Sequence, residues 1–226
     1  MKVCKYICLS HRIKQNIPSY GNRDNIYIRT NSSIATGETA NSSCWIFSNN
    51  HIGTHIDVPR HFSNEGKCTF DYPISNFIFE KIAIIDIHCG QGYLISHKDL
   101  KNRTINDDIE LLLIRTGFEK FRSTDTYWNS NPGLDPSLAD FLRLTYPHLR
   151  CIGFDFISIT SWLHRSEGRA AHKAFLCPEN GAKEILVIED MSLKEIKSNI
   201  ENVVVAPFFV EDGNGGAVTI FAKCEI

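Results

Sequence analysis

The feature that most constrains this chain is a series of short Ile-, Val- and Phe-rich segments, each bounded by Gly, Asn, Asp or Pro. They are Val3–Leu9, Ile26–Thr30, Ser43–Ser48, Ile82–Ile87, Ile109–Arg115, Cys151–Ile157, Ile185–Glu189, Val203–Phe209 and Ala217–Ala222. Runs of this length between turn-forming residues predict strands and are too short for buried helices. Helix signals are fewer. Asp135-Pro136 supplies an N-cap and a first-turn proline before Leu138, Phe141 and Leu142 at helical spacing. Ser192 and Glu195 read as a capping box before Ile196 and Ile200, and a third helix is expected over Arg165–Leu176. No repeat or Pro/Gly/Ser linker interrupts the chain, so residues 1–226 read as one mixed α/β domain with more strand than helix.

Composition narrows the function classes. With 226 residues and 42% apolar content the chain can bury a core without disulfide or metal staples. Its 24 Lys+Arg against 26 Asp+Glu lack the basic excess of a nucleic-acid binder, so none is expected as a partner. The apolar runs Ile82–Ile87 and Leu111–Ile114 fall far short of the roughly 20 residues that cross a bilayer, so no membrane partner is expected. Met1–Leu9 has neither an uninterrupted apolar core nor a small-residue cleavage site, and the expected compartment is the cytoplasm. The 8 cysteines are scattered without a C-x-x-C pair and are expected to be reduced and mostly buried. Gly213-Asn214-Gly215-Gly216, between two strand segments, reads as a hairpin turn.

The chemistry concentrates in His51-Ile52-Gly53-Thr54-His55-Ile56-Asp57-Val58-Pro59-Arg60-His61. Odd positions hold His, Gly, His, Asp, Pro and His, while Ile52, Ile56 and Val58 are apolar and β-branched. That is a strand with one metal-capable face and one core face. In an ideal strand four residues span about 13 Å, which strains His51 and His55 reaching one ion, and Gly53 offers the needed bend. Neutral imidazoles with a carboxylate are the usual ligands of zinc or manganese.

This segment resembles the H-x-G-T-H-x-D-x-P-x-H motif of the Putative cyclase superfamily, which includes bacterial kynurenine formamidase and isatin hydrolase. The resemblance continues through Leu9-Ser10-His11, Pro18-Ser19-Tyr20-Gly21, Leu113-Ile114-Arg115-Thr116-Gly117, Pro132-Gly133-Leu134, Gly153-Phe154-Asp155, His172 and Ile188-Glu189-Asp190-Met191. It implies a swivelling β/β/α-like domain, a homodimer or tetramer, and two divalent metal ions, zinc or manganese. It also implies that His51, His55, Asp57, His172 and Glu189 are ligands, with Asp57 bridging, and that His61 is the acid/base. The chain departs from the kynurenine formamidase pattern twice. The tryptophan before Pro-Gly is replaced by Ser19-Tyr20-Gly21, leaving Tyr20 or Trp45 as substitutes, and Ser-x-Asp reads Ser158-Ile159-Thr160.

Such a site activates water and polarises a carbonyl, which fits hydrolysis of a C–N bond in a small amide, formamide or cyclic imide. Narrower and competing readings are an arylformamidase acting on N-formylkynurenine, a metal-assisted cyclase or dehydratase, and a non-catalytic metal-binding protein. On a helix over Arg165–Leu176, Arg165, Arg169 and His172 share one face. The arginines then either clamp an anionic small-molecule substrate or pair with Glu167 or support Asp155. His11, His88, His97 and His148 have no partners in sequence and read as surface or core residues.

Overall fold

The computed structural model describes residues 4–225. Its strands are β1 (Cys4–Cys8), β2 (Ile26–Ser32), β3 (Ser42–Phe47), β4 (His55–Asp57), β5 (Ile78–Phe79), β6 (Ile82–Asp86), β7 (Leu94–Ile95) and β8 (Leu111–Arg115), followed by β9 (Gly133–Leu134), β10 (Cys151–Phe154), β11 (Leu186–Glu189), β12 (Ile200–Pro207) and β13 (Gly215–Glu225). The helices are α1 (His97–Leu100), α2 (Thr126–Asn129), α3 (Ser137–Thr145) and α4 (Arg165–Leu176).

Strands β6, β8, β10 and β11 lie side by side and parallel, and β4 joins β11 antiparallel. The long β13 pairs with β4 through Gly215–Ala217 and further along with β12 and β1, while β12 carries β5. Contacts between β12 and β6 bring the ends of this mixed sheet together, so it is nearly closed. Strands β2 and β3 form a separate two-stranded sheet whose Tyr27, Trp45 and Ile46 are exposed.

The apolar strands are continuous because both of their faces are buried. Leu112 and Ile114 pack with Ile152, Phe154 and Val187 against Leu138, Leu142, Ala171 and Phe175 of α3 and α4. Leu111 and Leu113, one step out of phase, pack with Leu186 and Ile188 against Val203, Val205, Ile220 and Ala222 of the opposite wall. This parity positions the site. Ile56 and Ile188 belong to the wall side, so His55, Asp57 and Glu189, their neighbours in sequence, face the helices. At the ends of β8 and β10, buried Asp155 accepts from the Thr116 and Gly117 amides at 2.8 and 2.7 Å and joins two of the motifs noted above.

Most expected strands are present with ends shifted by a few residues, and α4 spans the expected range. Asp135 caps α3 by accepting from the Ser137 amide at 2.9 Å. The helix expected after Ser192 does not extend beyond a single turn, closed by Ile196 N on Leu193 O. Ser192 N bonds Leu9 O, and the buried Glu119 carboxylate accepts from Leu193 N and Lys194 N at 2.7 and 3.0 Å. Ile200 instead opens β12. Residues 208–214 join β12 to β13 as an antiparallel hairpin, with Gly215 and Gly216 already inside β13.

Cysteine burial is lower than expected. Cys68, Cys151 and Cys224 are buried, Cys44, Cys89 and Cys177 half-buried, and Cys8 exposed, all as free thiols. Cys8 is exposed because β1 lies at the sheet margin, paired only with β13. The Cys4 side chain and Val3 lie outside the described residues. Among the described residues no helix is long and apolar enough to cross a membrane.

Candidate metal centre

The histidine-rich segment is a strand over only three residues. Before β4 the backbone turns at Gly53, whose φ of +72° lies in the left-handed region that glycine adopts freely. After it, Pro59–His61 form a 3-10 turn. The long strand is therefore corrected, and the bend at Gly53 is where it was expected. It folds His51 back, placing Nδ1 2.6 Å from Asp57 Oδ1. Two residues at the β13 entrance complete this corner: Asn214 Oδ1 lies 2.9 Å from His51 Nε2, and a Cβ at Gly215 would come within 2.8 Å of the imidazole Cε1.

The ligand-type atoms form two groups that meet at Asp57. Asp57 Oδ1 faces His51 and lies 3.5 Å from His55 Nε2, while Oδ2 lies 3.5 Å from His172 Nε2. Glu189 spans the same gap, with Oε2 3.3 Å from His55 Nε2 and Oε1 3.5 Å from His172 Nε2. His55, Asp57, His172 and Glu189 are buried, and His51 and His61 are half-buried.

His55, His172 and Glu189 are each oriented by a further bond. His55 Nδ1 donates to the Gly53 carbonyl at 2.8 Å and His172 Nδ1 to the Gly168 carbonyl at 3.0 Å, so both Nε2 atoms point inward. Thr160, which occupies the aspartate position of the family's Ser-x-Asp, places its hydroxyl 3.1 Å from His172 Nδ1. Ser158 Oγ and Ile159 N donate to Glu189 Oε1 at 3.2 and 2.7 Å. Gly168 also sets the seat of α4, since a Cβ there would stand 2.5 Å from Thr160 Cα. Gly168→Ala is expected to push α4 and His172 outward, seen as a lower Tm and weaker metal binding in a chelator competition.

The charges are arranged for cations. Burial disfavours a charge on His55 and on His172, yet Glu189 and Asp57 outweigh it and raise each to about 9. Burial likewise opposes ionisation of Asp57 and Glu189, and the imidazoles overcome it, holding both carboxyls below the usual range. Imidazole and carboxylate thus face one another across positions that a metal can take. Asp57 Oδ2 is buried without a hydrogen-bond partner. The 3.3–3.5 Å N···O spacings match the roughly 3.3 Å between ligands tetrahedral about zinc at ~2.0–2.1 Å. The donor set therefore fits a divalent metal.

His61 stacks on His51 with ring centroids 3.9 Å apart and meets His172 edge-on at 5.9 Å. One of its nitrogens lies within 4.8 Å of the ligand atoms of His51 and Asp57, and burial lowers its pKa to about 4.

Nine residues nominated from sequence line one cavity of about 260 Å³, namely His51, His55, Asp57, His61, His172 and Glu189 with Tyr20, Arg165 and Arg169. Trp45 does not line it. The aromatic partner of Tyr20 is instead Trp162, packed edge-on at 5.1 Å. Sequence reasoning also passed over Arg23, and gave Thr160 and Asn214 no role at the site beyond a departure from the family pattern and a turn position. It missed the support behind Glu189 as well. There Asp190, with φ +53°, is buried, receives Arg122 through Nε at 2.9 Å and Nη2 at 2.6 Å, and accepts from the Tyr127 hydroxyl at 2.5 Å. Its carbonyl accepts from Thr54 Oγ1, next to His55, and His11 Nε2 stands 3.8 Å away from its carboxylate.

A nearly closed mixed sheet thus delivers two His–carboxylate groups sharing one aspartate, a donor set suited to divalent metal. The Putative cyclase family profile matches residues 7–161, more than half of the chain, and the chain belongs to that family. A kynurenine formamidase of Bacillus cereus is 30% identical over 168 residues, covering 74% of this chain and 73% of the relative. Isatin hydrolase A from Labrenzia aggregata shares the fold with a TM-score of 0.81 at 18% identity, over 99% of this chain and 94% of that one. A potential metal-dependent hydrolase with cyclase activity superposes with a TM-score of 0.76 at 18% identity, over 99% and 100% of the two chains. The resemblance and the fold class expected from sequence both hold.

Proposed function

We propose that this chain is a metal-dependent hydrolase that cleaves the C–N bond of a small amide, formamide or cyclic imide. The observation that carries this reading is Asp57, a buried carboxylate with one oxygen toward His51 and His55 and the other toward His172. His51, His55 and Asp57 would hold one ion, and Asp57, His172 and Glu189 a second, each zinc or manganese. Such a pair, when bound, lowers the pKa of water toward neutrality and polarises a carbonyl.

The chain's own residues supply the proton transfers. His61, stacked on His51 at the cavity wall, takes a proton from the attacking water and returns it to the departing nitrogen. Water oxygen bonds to the carbonyl carbon, the C–N bond breaks, and the products are an acid and an amine. Asn214 and the Gly53 and Gly168 carbonyls keep the imidazoles from rotating. The kinship to a kynurenine formamidase favours an N-formylated aryl amine among these substrates, with Trp162 supporting Tyr20 on the aromatic wall.

A panel of formamides and lactams assayed for acid release tests the reading, and no turnover across the panel by metal-replete protein would overturn it. His61→Ala is expected to retain its metal and lose about 10²–10⁴-fold in turnover. A variant short of one metal equivalent would make His61 a ligand.

A further inference from the structure

We infer that Arg23, Arg165 and Arg169 form a subsite for a carboxylate on the substrate, so that the chain selects small amides carrying a negative charge. The inference rests on the hydrolase reading for the bond that is cut, though not for the charge.

Arg165 and Arg169 stand one helical turn apart on α4, and His172 follows three residues later, so all three line the cavity. Arg23 arrives from a distant part of the chain, just after the 3-10 turn at Tyr20–Asn22. Its guanidinium carbon lies 5.8 Å from the Trp162 ring centroid and 5.9 Å from that of Tyr20, and the Arg165 guanidinium lies 5.0 Å over Trp162. Two cationic forks are thus gathered on one aromatic pair, an arrangement guanidinium planes favour. Gly21 permits it. A Cβ there would stand 2.3 Å from the Trp162 ring, and its φ of +64° suits glycine.

None of these arginines is neutralised by the protein. Among the described residues, every ion pair of a Lys or Arg involves other cations. Glu167 accepts from Ser166 Oγ, and Asp155 is occupied by Thr116 and Gly117. Asp24, which also lines the cavity, accepts from Asn49 Nδ2 at 3.2 Å and Ser48 Oγ at 3.4 Å. The Tyr20 hydroxyl on the same wall is buried beside Arg165 without a hydrogen bond of full geometry.

The other carboxylates of the cavity, Asp57 and Glu189, are committed to the metal floor. At the opening the three guanidiniums outnumber the one remaining carboxylate, Asp24, whether or not the floor holds metal. A cavity of about 260 Å³ is of a size for a substrate with a single ring. The planar fork matches a carboxylate at that end.

The test compares N-formylanthranilate with formanilide, which share a ring and a formamide and differ by the carboxylate. Binding is measured by calorimetry on metal-replete and on chelated protein, and turnover on the metal-replete enzyme. The wild type is expected to prefer the anion in both metal states. Arg169→Ala and Arg165→Ala are each expected to reduce that preference ~3- to 10-fold, a modest effect because the side chains are exposed, with Arg169→Lys restoring part of it. Absence of a preference, including absence of binding by either probe, overturns the subsite. So does a preference seen only with metal present, which means that the ions capture the carboxylate. Competition by inorganic phosphate at lower concentration than benzoate overturns the carboxylate assignment. Anion preference without turnover of either probe leaves the subsite standing and counts against the hydrolase reading, whereas equal kcat/KM for both probes does the reverse.

Discussion

Replacing Asp57 by alanine is expected to leave the protein without either metal ion and to reduce amide turnover to background. The two sides of its carboxylate face different imidazole sets, His51 and His55 on one and His172 on the other, so no neighbour can substitute for it at both positions. Glu189 also faces His55 and His172, but its Oε1 is already engaged by Ile159 N and Ser158 Oγ. Elemental analysis of protein purified without chelator provides the measurement. The wild type should carry more than one equivalent of transition metal per chain and Asp57→Ala close to none. Full metal content in the variant would remove the bridging role.

The second large effect is expected at a residue that touches no proposed ligand. Arg122→Met should destabilise the fold by about 3–5 kcal/mol, because it leaves the Asp190 carboxylate buried with its charge uncompensated. Asp190→Gly in the same chain should recover much of that loss, since glycine removes the charge and suits the +53° φ of this position. Urea unfolding of the chelated single and double variants measures both numbers. A double variant as unstable as Arg122→Met alone would show that the arginine acts by packing and not through the carboxylate. The consequence for the site is direct, because Asp190 follows Glu189 and its carbonyl receives the Thr54 hydroxyl beside His55.

How much of this was legible depended on how local each signal was. The alternation in His51–His61 places His55 and Asp57 opposite Ile56 whatever surrounds them, so that parity survives in β4. The length of the strand did not survive, because Gly53 and Pro59 interrupt it and only β11 and β13 decide which residues pair. Ser192 and Glu195 had a sound local pattern for a helix start. It produced only a single turn, whose first amides are capped by the carboxylate of Glu119, more than 70 residues earlier and outside any local pattern. His172 and Glu189, unremarkable as isolated residues, came from family resemblance, since neither periodicity nor spacing distinguishes them from packing residues.

By itself, then, the sequence determined the mixed α/β class, the strand-rich order, the span of α4 and the metal-capable segment, because each is written in periodicities and turn residues within a dozen positions. Tertiary structure alone decided that Trp162 meets Tyr20 and Arg23, that Asn214 holds His51, and that Arg122 answers Asp190. Those partners lie between 68 and 163 residues apart, where an aromatic, amide or charge finds its complement in a distant part of the chain. A chain's local pattern carries no information about which distant surface will close over it, and packing against that surface selects the contact.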